Sequence, residues 1–154
     1  MRRIEREITE SELIEKIIRK ADVCRVALAN DNIPYIVTMN FGYLPLPERR
    51  LYFHCSNEGR KLEMIAKNNF VCFGIDTDHE IFNGKNGCDW GMKYSSIIGT
   101  GNISVIIDKE EKKKGMDIIM KHYGGEREYN YDDKVFSRTT ILRLDIKEMT
   151  GKKR

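Results

Sequence analysis

The chain has 154 residues, 40% of them apolar and 33% charged, the size and balance of a single domain over residues 1–154 with a real core. Lys and Arg exceed Asp and Glu by only 27 to 24, which does not describe a nucleic-acid binder. No stretch is apolar enough to span a bilayer or serve as a signal peptide, so no membrane is involved and a cytoplasmic protein is expected.

In chain order, Thr9-Glu10-Ser11-Glu12 supplies capping and acidic residues, and Leu13, Ile14, Ile17 and Ile18 follow at helical spacing, which predicts a helix over Glu10–Lys20. Val23–Ala29 and Ile33–Phe41 are β-prone runs around the turn cluster Asn30-Asp31-Asn32, a hairpin. Leu51–Cys55 is a short aromatic strand. A second helix follows Glu58, with Leu62, Ile65 and Ala66 on one face. Phe70–Asp76 is again a strand, and the polar segment from Thr77 to Gly91 reads as a long loop. The run from Tyr94 to Ile107 is a long strand in which Gly99 and Gly101 permit a bulge or bend. A third helix spans Lys109–Tyr123 with Met116, Ile119 and Met120 inward, stopped by Gly124-Gly125. After a polar loop, Thr139–Ile146 alternates as a half-buried closing strand does. About six strands and three helices result, and closure into a small antiparallel β-barrel removes the exposed edges.

Four cysteines, Cys24, Cys55, Cys72 and Cys88, are scattered with no zinc-like spacing, so free thiols and no metal site are expected. Cys24 and Cys72 lie in apolar runs and are expected to be buried.

The chemistry concentrates at residues 52–61. Strand alternation sends Phe53 inward and His54 outward. Ser56, Asn57 and Gly59 then supply turn chemistry and free amides, while Arg60 and Lys61 open a helix whose N-terminal dipole favours an anion. It is not a Walker loop, because the glycine-spaced lead is missing and no Ser or Thr follows the lysine. The residues alone leave two readings open: a phosphate site, or a solvated helix start with two surface cations.

Arg25–Leu28, Pro34–Tyr43, Leu51–Leu62 and Ser96–Gly101, taken together in this order, resemble the pyridoxamine 5'-phosphate oxidase-related FMN-binding family, and most of all its nitroimidazole-resistance branch. The resemblance runs from Met1-Arg2-Arg3 to about Tyr123. It implies a mainly β fold with flanking helices, a six-stranded antiparallel split β-barrel of the FMN-binding type, working as a homodimer with FMN at the subunit interface. It also implies that Arg60 and Lys61 hold the FMN phosphate, that His54, Cys55 and Ser56 line the same end, and that Val37, Thr38, Met39 and Asn40 run along the isoalloxazine edge. Trp90, Tyr94 and Ser95 complete the pocket, from the same subunit or from the second; for Trp90 an interface anchor is an equal alternative. His54 is the catalytic candidate, as a proton donor or relay, against the simpler role of a hydrogen bond to FMN.

The stretch Arg143–Arg154 has no counterpart to the basic residues with which pyridoxamine-phosphate oxidases hold a second phosphate, which disfavours vitamin B6 oxidation. The implied activity is an FMN-dependent oxidoreductase or nitroreductase that reduces a small-molecule acceptor such as a nitroimidazole. The alternatives are a non-enzymatic flavin carrier or redox sensor, and a split barrel that binds haem or a deazaflavin.

Overall fold

The computed structural model describes residues 3–154; Met1 and Arg2, the start of the basic opening, lie outside the described residues. Eight strands form one antiparallel sheet: β1 (Glu7–Ile8), β2 (Cys24–Asn30), β3 (Ile33–Met39), β4 (Phe41–Leu44), β5 (Arg50–Ser56), β6 (Phe70–Phe82), β7 (Gly91–Val105) and β8 (Thr139–Lys153). Four helices accompany them: α1 (Ser11–Lys20), α2 (Arg60–Lys67), α3 (Lys109–Gly124) and α4 (Asp133–Ser137). The strand order is β3-β2-β6-β7-β8-β5-β4, with β1 paired to β8. The two ends of this path, β3 and β4, are consecutive in the chain and separated only by Asn40. One bent segment therefore serves both edges, which closes the sheet into a split barrel.

Eight strands replace the expected six for two reasons. β1 is only two residues long, too short for any periodicity, and the run Ile33–Phe41 breaks at Asn40 because its two halves pair with different partners, β2 and β5. The segment expected to be a loop from Thr77 to Gly91 is instead mostly a hairpin arm: β6 continues to Phe82, and β7 begins at Gly91. Register shifts fall between Thr77 and Glu80 and between Thr100 and Gly101, the second at the expected bend. The closing strand β8 runs on to Lys153, well past Ile146, because β7 pairs with it as far as Ser95↔Lys153. The expected polar loop before it contains α4.

The barrel interior is packed with Val26, Leu28, Phe41, Leu51, Phe53, Phe73, Ile75, Ile97 and Leu144, and Ile14, Ile17 and Ile18 of α1 join this core. A second cluster, Tyr52, Ile106, Ile119 and Ile141, lies between α3 and the outer side of β5 and β8. Burying a side chain of this size contributes about 1.5–3 kcal/mol. Strand β5 is thus covered on both faces, which is why Tyr52 is as buried as Phe53 despite pointing the other way. In α2 the buried residues are Met64 and Ile65, and Ala66 is exposed, contrary to expectation. Cys24 is buried as expected, but Cys72 is exposed: β6 alternates, and its outward face carries no covering layer.

Candidate functional site

Strand β5 ends in His54, Cys55 and Ser56, and the turn after it leads into α2. The Asn57 side chain accepts a hydrogen bond from the Thr140 hydroxyl at 3.0 Å, tying the turn to β8. Gly59 then takes φ 125°, a left-handed conformation that a side chain would resist, and starts the helix. Among the described residues no side chain caps α2; the Leu62 and Glu63 amides bond the Gly59 carbonyl, and the Arg60 and Lys61 amides stay available for an anion. Arg60 and Lys61 stand at that open end, and neither joins an ion pair among the described residues.

The Arg60 guanidinium lies over the Tyr35 ring at 4.7 Å from its centre, which brings the start of α2 against β3. Sequence reasoning missed Tyr35; the signal was its place on the same strand face as Val37 and Met39. Val37 is half-buried, Met39 is buried, and Thr38 and Asn40 are exposed. Among the described residues strand β3 pairs only with β2, so its other edge presents unpaired backbone groups. In the β4–β5 register Phe41 faces Phe53, so one step further sets Asn40 level with His54. The structure therefore brings β3, the end of β5 and the start of α2 into one neighbourhood.

Electrostatics suit a bound anion. Burial pushes the Cys55 thiol pKa up, and the nearby Lys61 ammonium works in the opposite direction. His54 is open to solvent on one side, while desolvation on its protein side lowers its pKa below the ordinary imidazole value, which favours the neutral ring. Beside it runs an open groove of about 600 Å³, lined by His54, Cys55, Ser56, Lys134, Val135, Arg138 and Thr139. Lys134 and Arg138 were not visible as site residues in the sequence. Their only signal was Asp132, which caps the short helix α4 by accepting from the Val135 amide.

Trp90, Tyr94 and Ser95 sit elsewhere. Ser56 pairs with Thr139 at the start of β8, and Ser95 pairs with Lys153 at its end. That separation is roughly 45 Å of strand contour. Ser95 is buried, Trp90 is exposed and donates its indole N–H to the Gly84 carbonyl at 3.2 Å, and the Tyr94 ring lies near the Lys152 ammonium. Within one chain these three residues do not join the pocket around His54–Lys61.

The sequence model of the pyridoxamine 5'-phosphate oxidase family matches residues 10–153, nearly the whole chain. The chain belongs to that family. The match extends past Tyr123, through α4 and β8. No curated protein matches the chain by sequence. Among solved structures, a candidate 5-nitroimidazole antibiotic resistance protein from Bacteroides thetaiotaomicron is similar at 35% identity, over 95% of this chain and 85% of that one, with TM-score 0.82. A FAD- and haem-binding protein from Mycobacterium smegmatis shares the fold at TM-score 0.83 and 18% identity, over 96% of this chain and 73% of its own. So does a FAD-binding protein from Mesorhizobium loti, at TM-score 0.69 and 20% identity, over 97% of each chain. The fold is thus the split barrel of the pyridoxamine 5'-phosphate oxidase family. No helix among the described residues is long and apolar enough to cross a membrane.

Proposed function

We propose that this protein is an FMN-binding oxidoreductase that works as a symmetric homodimer and reduces a small oxidised acceptor such as a nitroimidazole. The observation that carries the reading is the uncapped start of α2, with the unpaired cations Arg60 and Lys61, set beside the free edge of β3. A phosphate fits the amides and cations, and a flat ring system fits along a strand edge whose N–H groups are fixed in position. The similarity to the Bacteroides protein supports the choice of acceptor.

FMN, when bound, supplies reversible hydride and electron chemistry. The residues' own tasks are simpler. Arg60, Lys61 and their own backbone amides would hold the dianion; Cys55 and Ser56 would line that end; backbone groups of Val37–Asn40 would fix the ring edge. His54, kept neutral by its lowered pKa, can accept a hydrogen bond at one ring nitrogen and donate one from the other, and can relay a proton by first taking one up.

Space supports the dimer reading. Phe41, Phe53, Phe73 and Ile97 fill the barrel, so a flavin has to lie outside it. The outer face of β3-β2-β6-β7 carries a row Ile36, Ala27, Cys72, Thr100 beside a row Thr38, Arg25, Gly74, Ile98, with Ile36 65% and Ile98 59% exposed. A sheet face of this kind, with exposed isoleucines and small or uncharged neighbours around one arginine, suits a second copy. The arm bearing Trp90, Tyr94 and Ser95 would then reach toward the partner's site.

The test is the absorption spectrum of the purified protein, repeated after reconstitution with FMN and desalting, beside Lys61→Ala. Flavin bands lost in the variant support the reading. Bleaching by NADH or NADPH, with reoxidation by a nitroimidazole faster than free FMN allows, supports the activity; no turnover above free FMN removes it and leaves a flavin carrier. The fold also holds FAD and haem in the Mycobacterium smegmatis protein, so a haem spectrum would replace the FMN assignment.

A further inference from the structure

Four cations surround the end of β5, and two of them have no task in the reading above. Arg60 and Lys61 stand on the α2 side; Lys134 and Arg138 line the groove on the other side of His54. None of the four is ion-paired among the described residues, in contrast to Arg50 with Asp145, Arg143 with Glu111 and Lys121 with Glu126. The carboxylates nearest them in the chain, Glu58 and Glu63 about α2 and Asp132 and Asp133 about α4, form no ion pair among the described residues, so all four cations remain open to a ligand.

The α4 pair is also built rather than loose. Lys134 and Arg138 are four residues apart, and Arg138 keeps helical φ and ψ of −89° and 0°, so both lie on one face. Three hydrogen bonds hold α4 in place. The Asp132 carboxylate caps the Val135 amide at 2.9 Å, the Thr139 hydroxyl donates to the Val135 carbonyl at 3.0 Å, and the Lys112 ammonium donates to the Phe136 carbonyl at 2.7 Å. Between the two cations the Val135 side chain is 65% exposed, an apolar surface facing a groove of about 600 Å³. Anion donors flanking an apolar contact, with His54 lining the same groove, describe a site for a small organic anion.

We propose that Lys134 and Arg138 form a second anion subsite, which takes the phosphate or carboxylate of the ligand that exchanges electrons with the flavin, its apolar part resting on Val135. The proposal builds on the FMN reading and gives that site a selectivity for charged ligands over neutral ones. The anionic group belongs either to a reduced nicotinamide nucleotide or to an acid acceptor.

Inorganic phosphate is the first probe, added to the FMN-loaded protein and followed by amide NMR. The expected result is a saturable shift of the Lys134–Thr139 amides, weakened about tenfold in Lys134→Gln/Arg138→Gln, the size of one charge-assisted contact to a partly exposed anion. The double variant should keep its flavin absorbance. Shifts confined to other residues, or unchanged in the double variant, overturn the subsite while leaving the FMN reading standing. A protein that rejects FMN but still shows the phosphate shift at Lys134–Thr139 keeps the subsite and removes the FMN reading. Steady-state kinetics then identify the source: phosphate competing with NADPH assigns the subsite to the donor, and phosphate competing with 4-nitrobenzoate but not with neutral 4-nitrobenzamide assigns it to the acceptor. In a protein that turns over, competition with none of them overturns the proposal.

Discussion

Gly42 sits in β4 directly beneath α3, and replacing it with alanine tests how the kink at Asn40 is held. A Cβ there would meet the Ile118 carbonyl carbon and oxygen at 2.5 Å and the Ile119 nitrogen at 2.6 Å, all backbone. Ordinary contact needs about 3.5 Å, so α3 would have to retreat by about 1 Å. That retreat loosens Ile119 from the cluster with Tyr52 and Ile141. It also draws on the end of the helix, where the Tyr123 hydroxyl accepts from the Phe41 amide at 2.9 Å and donates to the Asp22 carbonyl at 2.8 Å, while a His122 ring nitrogen lies 2.7 Å from the Ala21 carbonyl. Overpacking against backbone costs about 1–3 kcal/mol and each weakened hydrogen bond about 1 kcal/mol, so Gly42→Ala should lose about 3 kcal/mol. In a domain of this size that lowers Tm by about 6–12 °C. Urea unfolding measures the loss, and hydrogen exchange at the Phe41 amide reports the loosened latch. Gly87→Ala, where an added Cβ meets nothing within 4 Å, is the control and should stay within about 0.5 kcal/mol. A loss below about 1 kcal/mol, or unchanged protection at Phe41, would refute the account of α3 as the clamp on the β3–β4 kink.

Other expectations follow from single features. The Lys20 ammonium bonded to Asp78 holds that carboxyl down from 3.8 to about 2, so its contribution is fully present above pH 4 and is lost as pH falls toward 2. The pair is exposed, and Asp78→Asn should therefore cost a few tenths of a kcal/mol at pH 6 and nothing at pH 2; a gap that persists at pH 2 would count against it. Burial pushes the Cys24 thiol up to about 12, so thiol reagents at pH 8 should modify exposed Cys88 in the native protein and Cys24 only after unfolding, as peptide mapping would record. If the outer sheet face joins two copies, Ile98→Asp should convert a dimer to a monomer in sedimentation, and the modification rate of Cys72, unlike that of Cys88, should fall as protein concentration rises. Equal behaviour of the two thiols would place the interface elsewhere. NMR titration of the His54 ring should give a midpoint below 6.5, and a midpoint above it would remove the desolvated, neutral histidine from the site.

What the sequence by itself determined is what short-range chemistry determines. The apolar spacing of Ile14, Ile17 and Ile18 makes α1, the glycines after Tyr123 end α3, and the turn from Ser56 to Gly59 leads into a helix opened by Arg60 and Lys61 without any distant partner. Strand runs were legible wherever one face enters the core, as in Val71, Phe73 and Ile75. The tertiary structure decided everything that depends on pairing. Asn40 breaks a continuous apolar run because β2 claims one half and β5 the other, and no local residue preference encodes that. The arm Thr77–Phe82 and Gly91–Tyr94 is strand without an apolar period because it stands clear of the core, and Cys72 is exposed because no layer covers β6 outside. Lys134 and Arg138 reach His54 only through the β5–β8 register, and that same register carries Trp90 and Ser95 away from it. Side-chain spacing acts over a few residues, whereas hydrogen-bond register between distant strands decides which of those local pieces meet.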